Sequence, residues 1–180
     1  MTYKVNKVEG QPSPWTLSTQ RLENNMGIEV RFNSDDRATE ELHVHQVRVL
    51  ADRVLGYLGV NPDMRDGASL IISEFGANAV EHGEGLRDLY LVWNPPAKNA
   101  AETLDITVIN PTEVTEEAPG MANPGGLVAK DPNHESEGGR GMWLAYALTD
   151  GHIDQKRTED KDHHPIMRTH ARLGEYDEAA

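Results

Sequence analysis

Ser73-Glu74-Phe75-Gly76-Ala77-Asn78-Ala79-Val80-Glu81-His82-Gly83 is the stretch on which the fold turns. Glu74, Asn78 and His82 recur every fourth residue. On an α-helix such positions drift by only about 40° per step, so the three share one stripe. Ile72, Phe75 and Ala79 form an adjoining apolar stripe suited to face a sheet, which places Glu74 and Asn78 at the edge of a core. An asparagine offers Mg²⁺ an uncharged oxygen, and Mg²⁺ takes oxygen ligands while keeping several waters. A glutamate one turn earlier can accept a proton from an attacking hydroxyl or orient a water. Spacing alone also admits the plainer reading, in which Glu and Asn are solvated or capping groups. His82, at the helix end, reads as a structural hydrogen-bonder or C-terminal charge rather than a catalyst.

Upstream, Pro62 and Asp63 start this helix, and Gly83 stops it. A preceding helix runs from a cap at Asp35 or Asp36 to about Leu58, with Leu42, Val49, Ala51, Val54, Leu55 and Leu58 as its apolar face and Gly59 as its end. Ile28, Val30 and Phe32 alternate with polar neighbours, which predicts a first strand over residues 27–32. Residues 1–26 are polar, contain Pro12 and Pro14, and show no sustained periodicity. They read as a flexible N-terminal extension with Trp15 pinned.

Downstream, Leu89, Leu91 and Trp93 alternate along residues 86–93 before Pro95 and Pro96. Leu104, Ile106 and Val108 mark a neighbouring strand, and the two form an antiparallel meander. Two closing strands follow at residues 151–157 and 165–173. Between the strand pairs, residues of about 111–138 are rich in Pro, Gly, Asn and Glu, a composition of functional lids or disorder. Runs of strands set apart from helices predict a two-layer α/β sandwich: a mostly antiparallel sheet with helices on one face. The domain is expected over 27–174, with residues 175–180 as a tail.

Gly138-Gly139-Arg140-Gly141 opens a strongly apolar helical run, Met142 to Leu148. Exposed N–H groups at a helix start favour phosphates, the glycines permit close backbone approach, and Arg140 adds charge. A tight turn would use the same glycines. Neither the histidines and aspartate at 152, 162, 163, 164 and 170 nor the acidic residues of the lid show metal-ligand spacing, and they read as structural or surface groups.

The chain has 180 residues, 37% of them hydrophobic, enough for one domain with its own core. Thirty acidic against seventeen basic residues give a formal charge of −13, which disfavours direct nucleic-acid binding and suits either simple solubility or a basic protein partner. Cysteine is absent, so disulfides, thiolate metal sites and cysteine nucleophiles are excluded. No leader and no apolar stretch of about 18 residues appears, so a cytoplasmic protein away from membranes is expected.

Together the segments resemble the GHKL (Bergerat-type, histidine-kinase-like) ATPase superfamily, and within it the small bacterial anti-sigma-factor serine/threonine kinases of the SpoIIAB and RsbW type. Residues 73–83 look like that family's N box, and Gly139-Arg140-Gly141-Met142-Trp143-Leu144 like its second glycine box. The resemblance implies ATP and Mg²⁺ as ligands, Glu74 as general base, and Asn78 as the Mg²⁺-binding residue. It further implies phosphate binding by Gly138, Gly139, Arg140 and Gly141 under a lid. The implied partners are a sigma factor and a STAS-type anti-anti-sigma protein; a homodimer is left open.

One position departs from the pattern. Where the family ends a strand with an Asp that reads the adenine amino group, this chain has Asn110 followed by Pro111. Asn110 can still accept a hydrogen bond through its carbonyl oxygen, more weakly than a carboxylate. On the closing strand, Thr169 is the residue that the resemblance offers as an adenine-side hydroxyl. Two functions follow: an ATP-dependent protein kinase that acts as an anti-sigma factor, or a catalytically degenerate module that sequesters a regulator without nucleotide.

Overall fold

The computed structural model describes residues 1–22, 27–98, 100–112 and 140–174, and of residues 35–38, 82, 140 and 141 the backbone only. In chain order the elements are β1 (Thr2–Lys4), β2 (Lys7–Val8), β3 (Gln11–Pro12), β4 (Trp15–Arg21), β5 (Ile28–Ala38), α1 (Glu41–Leu58) and α2 (Pro62–His82). There follow β6 (Leu86–Asn94), β7 (Thr103–Pro111), α3 (Arg140–Leu148), β8 (Ile153–Glu159) and β9 (Pro165–Leu173). Seven strands form one sheet in the order β1-β4-β5-β6-β7-β9-β8, every described pairing antiparallel, and β2 with β3 makes a separate small hairpin.

Register explains why one face is covered. Val30, Leu91, Ile106, Ala171 and Ile153 stand side by side across five strands, and all are buried. Because strand side chains alternate, this row and its neighbours fill one face. Val47, Ala51 and Leu55 of α1, Ile71, Ile72 and Phe75 of α2, and Met142 and Ala145 of α3 complete the same core. The expected two-layer sandwich with helices on one face is the architecture found. Among the described residues, no helix is long and apolar enough to cross a membrane.

The N-terminal expectation needs correcting. Residues 1–21 do not hang free of the domain; they supply β1 to β4, and β4 pairs with β5 over seven residues, from Trp15↔Ser34 to Arg21↔Ile28. Trp15 is pinned as expected, with no exposed surface, and its indole Nε1 donates to the His43 carbonyl at 3.0 Å. Pro12 is tolerated because its two-residue strand has no neighbour beyond β2. The Gln46 side chain donates to the Pro12 carbonyl at 2.7 Å, tying that hairpin to α1.

The cap of α1 also moves. β5 continues through residues 35 and 36, and the helix starts at Glu41 after Glu40, whose side chain makes no capping bond. Gly59 ends α1 as expected, with φ 88°, a left-handed conformation that glycine adopts without strain. Pro62 sits in the first turn of α2, where the Asn61 side chain accepts from the Asp63 N–H at 2.9 Å. Pro111 and Thr112, expected in the lid of about 111–138, are instead tied to the sheet: Pro111 closes β7, and the Thr112 N–H donates to the Pro165 carbonyl at 3.2 Å. The lid's remainder, residues 113–138, and the tail 175–180 lie outside the described residues.

The opposite face of the sheet carries polar networks. Asp88, almost fully buried, accepts from Asn33 Nδ2 at 2.6 Å, Arg31 Nη2 at 3.1 Å and Arg87 Nε at 3.0 Å. Arg87 Nη1 reaches on to Asp160 at 2.8 Å, in the turn between β8 and β9. The backbone N–H of His164 foremost, then Arg87 and the N–H of Asp162, hold the Asp160 carboxyl down to about 2 against a desolvation penalty. Burial alone would push the Asp105 carboxyl up, but bonds from His170 and Arg172 outweigh it and leave that pKa below the usual range.

A depressed folded-state pKa contributes stability above the unfolded-state value, and that contribution is lost as pH falls through the folded one. For Asp160 the window runs from the ordinary 3.8 down to about 2. The Asp160→Asn variant is therefore expected to be less stable than the parent at pH 6. In urea unfolding the gap narrows at pH 3; a gap independent of pH would show that Asp160 acts through shape and not charge.

Candidate functional site

Helix α2 spans Pro62–His82, so Glu74 and Asn78 do share one stripe, and both are half-buried. Phe75 and Ala79 beside them are buried against the sheet. His82 also lies on α2, with its side chain outside the described set.

The end of α2 meets the end of β7. Gly83 leaves the helix in extended backbone, and a Cβ there would lie 2.5 Å from Asn110 Nδ2 and 2.8 Å from the Ala79 carbonyl. Only glycine lets the asparagine sit this close. Two backbone bonds lace the junction, Glu84 N–H to the Pro111 carbonyl at 3.3 Å and Gly85 N–H to the Ala79 carbonyl at 3.0 Å. Asn110 is 8% exposed, and its Nδ2 donates to the Pro111 carbonyl at 3.3 Å.

Thr169 lies opposite Val108, and Asn110 opposite Met167, so Asn110 and Thr169 are diagonal neighbours on the covered face of the sheet. Thr169 is also buried, and its hydroxyl accepts from Gln155 Nε2 at 3.0 Å. Sequence reading did not single out Gln155. The register of the β8–β9 hairpin, once its turn is known, would have placed it against Thr169.

Helix α3 packs on α2. Arg140 and Gly141 open it, with their side-chain positions outside the described set, and Gly138 and Gly139 lie outside the described residues altogether. The structure therefore brings Asn110 and Thr169 together beside the end of the Glu74–Asn78 helix.

These residues suit a Mg-nucleotide. The Asn78 amide oxygen could serve as one of the few protein ligands that Mg²⁺ takes when phosphates supply others, with the Glu74 carboxylate one turn earlier placed to accept a proton. Among the described residues, no group of three or more His, Asp or Glu could hold a metal on its own. Beyond its bond to the Pro111 carbonyl, the Asn110 amide has a second N–H and a carbonyl oxygen with which to meet a ligand.

The two-layer sandwich, one antiparallel sheet with its helices on one face, is the fold of GHKL-type ATPase domains. The family of histidine kinase-like ATPase domains matches residues 37–164, well over half of the chain, and the protein belongs to that family. Among solved structures, it is similar to a chain from the crystal structure of the SiaB-SiaC complex from Pseudomonas aeruginosa. The TM-score is 0.50 at 11% sequence identity, covering 79% of this chain and 89% of that one. At that identity the likeness is one of fold. No curated protein matches the chain.

Proposed function

We propose that this protein binds Mg-ATP at the end of α2 and transfers phosphate to a serine or threonine of a protein partner, as an anti-sigma-factor kinase in bacterial partner switching. The observation that carries the reading is the stripe of Glu74 and Asn78 on a helix whose end is closed by Gly83 against Asn110. Membership of an ATPase-domain family supports the nucleotide.

Asn78 would hold Mg²⁺ through its amide oxygen, and the ion supplies neutralising charge for the phosphoryl group. Glu74 would accept the proton of the partner's hydroxyl. Asn110 Oδ1 would accept from the adenine amino group, with Thr169 beside it. Gly138, Gly139, Arg140 and Gly141 would offer backbone donors and a cation to the phosphates. A sigma factor and a STAS-type anti-anti-sigma protein are the proposed partners, and a charge of −13 favours a basic surface on one of them. A cytoplasmic location goes with this role.

The neutral Asn110 and the Pro111 behind it favour a second reading, a module that has lost nucleotide and holds its partner by surface complementarity alone. Titration calorimetry with ATP and ADP, with and without Mg²⁺, separates the two. Magnesium-dependent binding is the expected result. No heat up to about millimolar nucleotide, a binding free energy weaker than about −4 kcal/mol, would leave the module.

A further inference from the structure

We propose that the trough between α1 and strands β1 and β4 is a docking groove for an amphipathic helix of a partner protein, one with acidic residues flanking its apolar stripe. The groove sits at the β1 end of the sheet, away from β7 and β9, and the inference stands apart from the nucleotide reading.

The helices stop short of this edge. α1 packs on β5, whose Val30 and Phe32 are fully buried. The row of Phe32 runs outward through Leu17 to Tyr3 of β1. Leu17 is only part-buried and Tyr3 is 48% exposed. Among the described residues no strand lies beyond β1. The facing wall is α1, where Val54, Tyr57 and Leu58 share one stripe at i, i+3 and i+4. Val54 and Leu58 lean on the core, while Tyr57 stands at the rim with 91% of its surface exposed. The result is an apolar trough of about 590 Å³ whose floor continues the core.

Its dimensions suit a helix. Strands lie about 4.8 Å apart, so two uncovered strands make a floor roughly 10 Å wide, and a helix with its side chains is about 10–12 Å across. Packed helices lie axis to axis at about 8–10 Å, so a guest beside α1 would cover floor and wall together. From Leu17 to Arg21 the floor runs about 14 Å, between two and three turns of helix. A trough of this form is read by apolar anchors at i, i+3 or i+4 and i+7. A tyrosine exposed beside part-buried aliphatics is the kind of anchor on which such contacts centre.

Charge selects the guest. Arg21 and Arg53 are the charged side chains of the lining, and among the described residues no carboxylate joins them there. Arg53 meets Glu9 at 3.9 Å, but both side chains are more than half exposed, and such a pair contributes little. The chain's −13 repels an acidic guest at long range. At physiological salt that field is screened over about 8 Å, so the contacts within the groove decide. There a Glu or Asp on the guest's flank meets a guanidinium, whereas a basic helix sets like charges together.

The test uses the full chain and two labelled peptides of about 14 residues, each with leucines at i, i+3, i+4, i+7 and i+11 on an alanine background. One carries glutamates beside the leucine stripe, the other lysines at the same places. Binding is read by fluorescence anisotropy at about 0.15 M and about 1 M salt. The glutamate peptide is expected to bind at least about tenfold more tightly at the lower salt, with the gap closing at the higher. Tyr57→Ser, at an exposed position outside the core, is expected to weaken it about tenfold. Arg21→Glu combined with Arg53→Glu is expected to reverse the preference. Equal affinity of the two peptides, a preference for lysine, no binding up to about millimolar peptide, or indifference to Tyr57→Ser would each overturn the proposal. So would self-association that Tyr57→Ser abolishes in sedimentation, which would give the groove to a second copy of the chain. Dodecanoate bound with the same dependence on Tyr57 and both arginines, while the peptides fail, would give it to a small amphiphile instead.

Discussion

In the Asn78→Ala variant, ATP binding is expected to lose its dependence on Mg²⁺, and phosphoryl transfer to a protein partner to fall by at least about 100-fold. The amide is the proposed neutral ligand from α2, and alanine offers the ion nothing in its place. The fold should not suffer. Asn78 is half-buried in the interior of a 21-residue helix, where alanine is the better helix former by roughly half a kcal/mol. Function and stability are thus expected to move in opposite directions, and this distinguishes a ligand from a packing residue. Calorimetric titration with and without Mg²⁺ and a urea melt on the same preparation provide both readings. If magnesium strengthens ATP binding equally in variant and parent, Asn78 is not the ligand and the kinase assignment loses its centre.

Much of this geometry could be read from short-range pattern. The apolar stripe of α2, its Pro62 start and Gly83 stop lie within one contiguous run, and so does the alternation that made residues 165–173 a strand. Where pairing over long distances decides, local pattern misled. Asp35 and Asp36 look like a helix cap. Yet β5 extends through them, paired up to Ser34 with a β4 that lies before it in the chain, and its register to β6 shifts between Asn33 and Ala38. Residues 1–21 have proline and little hydrophobicity, so no window of them promises a core. Their strands form because Leu17, Thr19 and Arg21 find Phe32, Val30 and Ile28 opposite.

The site divides the same way. Glu74 and Asn78 were visible through helical spacing. The pinning of Asn110 by Gly83 joins residues 27 positions apart in the sequence, and the Gln155–Thr169 bond joins two strands across a turn. Neither leaves a periodic trace. The surroundings of the Asn110 amide, the Pro111 carbonyl and the side-chain-free Gly83 both against its Nδ2, come from two stretches of the chain that only the fold brings together.

Trp15 shows how far the N-terminal strands have become part of the domain. It has no exposed surface, packs in the same cluster as Phe32 and Leu55, and donates from its indole to the His43 carbonyl. Trp15→Ala is expected to cost about 3–5 kcal/mol, since a large buried ring leaves both a cavity and a lost hydrogen bond. Little nearby can absorb that loss. Among the described residues, Ser34 Oγ, on the residue facing Trp15 in β5, and His43 Nδ1 and Gln46 Oε1, in the first turns of α1, are already buried with no hydrogen-bond partner. Against a typical total of about 5–15 kcal/mol, the change moves a stable domain toward the threshold of unfolding. A urea melt followed by circular dichroism measures it. Were residues 1–21 only an appended segment, the cost would stay below about 1 kcal/mol. The candidate site lies three strands away from β4 in the sheet order, at the end of β7 and beside the middle of β9. Nucleotide affinity of the folded fraction is therefore expected to survive the substitution, so that a loss of binding in step with unfolding reports stability and not the site.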